Sequence, residues 1–241
     1  MCYETSSTKM KEAMEDYARA DFALPHKYQP YFHKTGFGHP NLQILKMDEP
    51  DIIYPASWGL VPEWGMKDID VFRKKYNTLN TKSETLFSGL SKGSAIDKRC
   101  LILADGFFEP HKENGVSIPY FCHIPTNNYK DGRDIFCFAG IYSEVEEYSE
   151  SYTCSILTME ANDFFAEVHN VKKRMPLVLD DELFSEWFND GLKEDNVMEL
   201  MKHGFTSKTF NAYPVSRNLY KRGIDTNNEN ILQPADKETL F

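Results

Sequence analysis

Apolar positions along the chain fall into distinct patterns. Near the start, Met10, Ala13, Met14, Tyr17 and Ala18 recur at helical spacing. They predict a helix with Ser6 to Thr8 as its cap and Cys2 just ahead of it. From Arg99 onward the period changes. "RCLILADGFF", "PYFCHI", "DIFCFAGIY" and "YTCSILT" are short runs rich in aromatic and branched residues, separated by Gly, Pro or Asn clusters. They predict strands of an antiparallel sheet. "EANDFFAEVH", "DDELFSEWFND" and "EDNVMELMKHG" return to i, i+3, i+4 spacing and predict helices, the last capped by Gly204 after a basic turn. No internal repeat and no Gly/Ser linker marks a boundary. The pattern therefore predicts a single α+β domain over residues 1–241, built on a mainly antiparallel sheet curled toward a barrel and flanked by helices.

Composition narrows the class. With 241 residues and 41% hydrophobic content, the chain can bury a core without disulfide or metal staples. The start has no apolar signal-peptide core and no run is long enough to span a bilayer, so a soluble, cytoplasmic protein with no membrane partner is expected. The five cysteines, Cys2, Cys100, Cys122, Cys137 and Cys154, are odd in number and form no CxxC pair. That argues against a disulfide framework and a structural zinc; no metal site and no cofactor are expected. Four of them sit in apolar runs and read as inert buried thiols, whereas Cys2 stands apart at the terminus.

A net charge of −10 opposes a nucleic-acid partner on average. The charge is segregated, however. Residues 141–200 hold 4 basic and 15 acidic residues, 66–100 hold 8 and 4, and 201–222 hold 5 and none. One face of the molecule can still be positive.

Several residues could carry chemistry. If Met1 is removed, Cys2 presents a free amine beside its thiol, and in unperturbed form these titrate near ~8 and ~8.5. Amine and thiol together convert an aldehyde into a five-membered thiazolidine, which an internal cysteine cannot do. Read by position alone, residue 2 is more often an exposed terminus of little consequence. In "ADGFFEP", Asp105-Gly106 read as a turn and Glu109 falls at the end of an apolar strand. Partial burial there would suit a carboxylate to acid/base work, and a surface glutamate is the plainer alternative. His169 closes a helix ahead of Lys172, Lys173 and Arg174, as either a dipole partner or a proton carrier. Asn80, Lys82 and Glu84, downstream of Arg73, Lys74 and Lys75, form a polar segment able to hold a sugar phosphate or merely to face solvent. Trp58 and Trp64 are core anchors or, for Trp64 beside Pro62, a stacking surface for an unpaired base. No GxxxxGK[ST], GxGxxG or HExxH is present, which removes the common nucleotide and zinc-protease readings.

Cys2, "WGLVPEW", "NTKSET", "CLILADGFFEP", "ILTMEAND", "VHN…RMPLVL" and "YPVSR" occur in one order. Together they resemble the SOS response-associated peptidase (SRAP) family, which shields abasic sites in single-stranded DNA by covalent attachment, and the likeness runs nearly end to end. The resemblance implies that Cys2 is the covalent nucleophile and that Asn80 orients it and the ring-opened sugar. It implies further that Glu109 and His169 exchange protons there, and that Thr158 lines the same pocket. It makes Lys82 and Arg174 contacts to flanking phosphates and Trp64 a stacking partner of a nearby base. It also implies that Cys2, helped by Glu109, could release Met1, a product that housekeeping removal of methionine before a small residue would give as well; an imine intermediate leaves strand-cleaving lyase chemistry open. Tyr3 and Glu4 stand where the family usually has Gly and Arg, Lys82 stands where Arg is commoner, and "VKK" separates His169-Asn170 from Arg174. Two other readings use the same residues: an N-terminal nucleophile hydrolase of the glutamine amidotransferase type, and a non-catalytic single-stranded DNA-binding module.

Overall fold

A computed structural model of the chain describes residues 2–144 and 152–235. Met1, whose removal the sequence reading invokes, lies outside them. The chain begins with β1 (Glu4–Ser7), α1 (Lys11–Ala18), β2 (Asp21–Phe22), β3 (Tyr31–Thr35), β4 (Asn41–Lys46) and β5 (Glu49–Trp58). It continues with α2 (Ile69–Lys75), β6 (Asn80–Lys82), β7 (Arg99–Ala104), β8 (Gly106–Glu113) and β9 (Val116–His123). Next come β10 (Phe136–Glu144), β11 (Tyr152–Glu160), α3 (Asp163–Val168), β12 (Arg174–Pro176), α4 (Phe184–Trp187), α5 (Glu194–His203) and β13 (Asn211–Pro214).

The strands make two sheets in an α+β fold. One has five strands in the order β13-β9-β8-β1-β3. In the other the order is β12-β11-β10-β7-β4-β5-β2, with β6 added beside β11. Because β5 also pairs in parallel with β11, through Ala56↔Tyr152 to Trp58↔Cys154, the strands β5-β4-β7-β10-β11 close into a ring. The expected curling toward a barrel is thus realised, and closure removes two edges that would otherwise need protection. Helices cover the outside, and none of the helices among the described residues is long and apolar enough to cross a membrane.

The two sheets meet at one corner, Ala104-Asp105-Gly106, where the chain leaves β7 for β8. Glycine is required there by space. A Cβ on Gly106 would sit 2.4 Å from the Phe121 ring and 2.7 Å from Ser6 Oγ. Asp105, in the bend between the two strands, is fully buried. Its carboxylate accepts from Ser6 Oγ at 2.8 Å, from the Thr8 backbone N–H at 3.0 Å and from the Thr8 hydroxyl. Lys9 and Arg133 stand 4.0 and 3.9 Å away, both also paired with Asp131. This network corrects the expected cap of α1: Ser6 and Ser7 are strand residues, Thr8 is spent on Asp105, and the helix starts after Met10 without a side-chain cap.

α3 and α4 are shorter than their patterns imply. α3 is capped by Asn162, whose side chain accepts from the Phe165 N–H. α4 has only four residues, anchored by Trp187, whose indole N–H donates to the Cys100 carbonyl at 3.0 Å. α5 ends at Gly204 as expected, with φ −87° and ψ 5° rather than left-handed backbone.

Candidate active site

The N-terminus is not loose. β1 lies between β8 and β3, pairing Glu4 with Phe108 on one side and with Thr35 on the other. Cys2, immediately before it, is 0% exposed and packs in the core with Tyr31, Phe107 and Cys122. The expectation that four cysteines are buried and Cys2 stands apart is therefore corrected: all five are buried. What distinguishes Cys2 is its neighbours. Asn80 at the head of β6 donates from Nδ2 to the Cys2 carbonyl at 2.8 Å, and the thiol lies 3.6 Å from the Glu4 carbonyl. Burial first, and then the negative charge of Glu109, push the Cys2 thiol well above the ordinary cysteine range. It is therefore a protonated thiol near neutrality, not a preformed thiolate.

Glu109 sits in the middle of β8, not at a strand end, and is fully buried. His169, the residue that closes α3, brings Nδ1 to 3.1 Å from Glu109 Oε2 and 3.2 Å from the Arg174 carbonyl. A carbonyl can only accept, so Nδ1 carries the hydrogen and is shared between the two oxygens. The turn that holds His169 is fastened to β8 by side chains that sequence reasoning gave no role. Asn170 donates from Nδ2 to the Lys112 carbonyl at 2.8 Å and accepts from the Lys112 N–H at 2.9 Å. His111 Nδ1 approaches the last α3 carbonyls, Glu167 at 3.0 Å and Val168 at 3.2 Å. The loop then returns through Lys173 in left-handed backbone, its N–H donating to the His169 carbonyl at 2.9 Å.

The other predicted residues lie around this centre to different degrees. Thr158 on β11 is fully buried, with its hydroxyl 3.4 Å from the Thr81 carbonyl. Lys82 is exposed and in register with Thr158. Arg174 is committed elsewhere than to solvent. Its guanidinium grips Glu84 through two contacts of 2.5 and 3.0 Å and donates to the Thr158 carbonyl at 2.6 Å. A phosphate at Arg174 would have to compete with that carboxylate. Trp64 is 59% exposed on a short 3-10 turn, and its ring neighbours among the described residues are Phe72 and Tyr76. The structure thus joins Cys2 to Asn80, and Glu109 to His169, with Arg174 adjoining through its backbone. It does not bring Trp64 into that cluster.

A family model described as "SOS response associated peptidase (SRAP)" matches residues 1–222. The chain belongs to the SRAP family. It is similar to the abasic site processing protein HMCES of Rattus norvegicus, 30% identical over 246 aligned residues that cover 88% of this chain and 67% of that protein. It is also similar to the abasic site processing protein YoqW of Bacillus subtilis strain 168, 31% identical over 163 residues covering 66% and 67% of the two. A crystal structure of a Bacteroides thetaiotaomicron protein superposes with a TM-score of 0.79 at 26% identity, covering 97% of this chain and all of that one.

Within this SRAP chain, Glu4 is the departure that bears on charge at the site. Its carboxylate is held by His33 Nε2 at 2.7 Å and Thr35 Oγ1 at 3.1 Å. His33 Nδ1 in turn lies 2.6 Å from Thr226 Oγ1, and Asn227 Oδ1 accepts from the Phe32 and His33 backbone N–H groups. Thr226 and Asn227 lie beyond the family match, so a C-terminal segment outside it ties down the residue that departs from the family pattern.

Proposed function

We propose that this SRAP protein processes abasic sites in single-stranded DNA by attaching Cys2 to the ring-opened deoxyribose once Met1 has been removed. The observation that carries the reading is the environment of Cys2: its carbonyl is held by Asn80, and its buried thiol feels Glu109, which is itself bound to His169. The abasic sugar opens to an aldehyde at C1′. The Cys2 amine adds to that carbon, and loss of the resulting hydroxyl as water leaves an imine. The Sγ–C1′ bond then forms as the imine electron pair moves to nitrogen, which takes up the proton released by the thiol. The product is a thiazolidine, and one water leaves in all.

The raised thiol pKa supports one order of these steps. A protonated thiol is a poor first nucleophile, so the amine attacks first and the sulfur needs a base when it follows. Glu109 serves as that base and as the proton donor to the departing hydroxyl, while His169 holds the carboxylate through Nδ1. Asn80 fixes the Cys2 backbone so that amine and thiol reach one carbon. The same thiol, adding to the Met1 carbonyl with help from Glu109, would release Met1 at the expense of one water, and the imine can divert to β-elimination and strand cleavage. Lys82 and Trp64 are proposed contacts to the flanking strand; Thr158 lines the pocket, and Arg174 reaches a phosphate by exchanging Glu84 for it.

Mass spectrometry of the protein mixed with an abasic single-stranded oligonucleotide tests the reading. The expected species has the summed mass of the two partners less one water and survives heating. Cys2→Ser should remove it while leaving salt-sensitive DNA binding intact. If the wild-type protein lacking Met1 yields no such species at low salt, the reading is wrong.

A further inference from the structure

Directly beside Cys2 the chain carries an aromatic surface that the chemistry above does not use. Phe37 is 62% exposed at the tip of a 3-10 turn, Gly36–Gly38, between β3 and β4. Its ring lies 5.1 Å from that of Tyr3, tilted by 40°. Tyr3 is the residue that follows Cys2, and its side chain is hydrogen-bonded to Asn77.

An exposed phenyl on a loose loop would mean little, but this turn is held at several points. The Gly36 N–H donates to the Tyr3 carbonyl at 2.7 Å, and the His39 N–H closes the turn onto the Gly36 carbonyl at 2.9 Å. His39 Nδ1 donates to the Trp58 carbonyl at 2.6 Å. The turn lies so close to the core that a Cβ on Gly36 would approach Leu79 to 3.0 Å and Trp58 to 3.2 Å. Leu79 leads straight into Asn80, so the platform and the Cys2-holding amide share one support.

Cations adjoin it. Arg73 at the end of α2 donates from Nη2 to Ser57 Oγ at 2.7 Å, and Ser57 donates to the His39 carbonyl at 3.0 Å. The buried Arg73 Nε has no hydrogen-bond partner, and Lys74 and Lys75 follow on a helix whose one acid is Asp70. A rigid aromatic face with positive charge beside it fits a nucleobase and its phosphate, whereas an apolar peptide would gain nothing from the cations.

We infer that Tyr3 and Phe37 form a stacking platform for the nucleobase next to the abasic site, with Arg73 facing that nucleotide's phosphate. The inference rests on the reading of Cys2 as the residue that attaches to abasic DNA, and adds which flanking group the protein grips. Stacking on an aromatic side chain is worth enough per base that its loss weakens binding at least about fivefold.

The test uses abasic oligonucleotides carrying the fluorescent base 2-aminopurine immediately beside the lesion, on one side or the other. In the wild-type adduct its emission should be quenched on one of the two sides, and the Phe37→Ala adduct should recover it. At limiting DNA, Phe37→Ala should form adduct at least about fivefold more slowly with a base beside the lesion. It should match wild type when that neighbour is a baseless spacer, and Phe37→Trp should restore both readouts. Phe37 is exposed, so its truncation leaves the core untouched. Equal emission and equal rates for wild type and Phe37→Ala would overturn the inference while leaving the Cys2 chemistry standing. Absence of any adduct with any oligonucleotide would instead remove the reading beneath it.

Discussion

Asp105 and Glu109 lie four residues apart around one chain corner, and both are fully buried. Their surroundings differ. Asp105 is wrapped by two hydroxyls, a backbone N–H and two nearby cations that Asp131 shares. Glu109 faces an imidazole and raises the pKa of two buried thiols, Cys2 and Cys122. Burial alone therefore does not separate a structural carboxylate from one proposed to react. The compensation does: a carboxylate wrapped in donors and cations holds strands together, and one set against titratable groups can exchange protons with them.

Exchanging each carboxylate for its amide should pull the two apart. Glu109→Gln should slow adduct formation about 10²- to 10⁴-fold, the range of a lost acid/base group, with little change in unfolding free energy. A rate within twofold of wild type between pH 6 and 8 would end its proposed role. Asp105→Asn should do the reverse. One donor among Ser6 and Thr8 loses its acceptor while Lys9 and Arg133 keep Asp131, so we expect a loss of about 1–3 kcal/mol in denaturant melts. Adduct rate per folded molecule should hold.

Much of this contrast was beyond the reach of local pattern. The strands β7 to β11 are legible because they are continuous apolar or aromatic runs, and the fold class follows from them. β1 reads "ETSS" and gives no such signal; its polar side chains are buried against Asp105, a partner nearly a hundred residues away. β4 and β5 are masked by Pro50, Pro55 and Lys46, the last a lysine only 4% exposed between the Tyr54 and Tyr152 rings. At the site, Cys2, Asn80, Glu109 and His169 were legible as motif residues. Glu84 was visible only as one charge in a polar segment, because its pairing with Arg174 spans ninety positions. Asn170 stood beside His169 in plain view, yet nothing local reveals that its amide completes two backbone bonds of Lys112.

That amide gives the next prediction. Asn170→Ala should loosen His169 from Glu109 and slow adduct formation about 10-fold, less than loss of Glu109 itself, because proton-transfer geometry tolerates little displacement. Asn170→Asp keeps the acceptor and loses the donor, so it should fall between. Rate at saturating DNA distinguishes positioning from mere stabilisation: it should fall in Asn170→Ala while DNA affinity holds. A lowered melting temperature with an unchanged rate per folded molecule would make Asn170 only a fastening.

Alkaline stability sharpens the comparison further. Burial raises all five cysteine thiols, so the native chain keeps protons that the unfolded chain releases above about pH 8.5. Stability is then fully present below that pH and falls as pH rises beyond it, by at most about 1.4 kcal/mol per pH unit for each thiol. Glu109 adds to the effect at Cys2 and Cys122. Burial is the larger cause at both, so Cys122→Ala should flatten the alkaline decline seen in urea melts, and Glu109→Gln and Asp105→Asn should leave its slope unchanged.

The smallest effect should come from a residue that belongs to neither carboxylate. Lys82 is exposed at the end of β6, two positions past Asn80 and opposite Thr158 in the strand register. As a phosphate contact it would weaken binding to intact and abasic strands alike when changed to alanine, and reduce the salt slope on single strands by about 0.7. Fluorescence anisotropy across a salt series, with a Cys2→Ser background to block attachment, measures both quantities. If the loss is confined to abasic strands, Lys82 reaches into the reactive pocket and the charge around Glu109 has to be redrawn to include it.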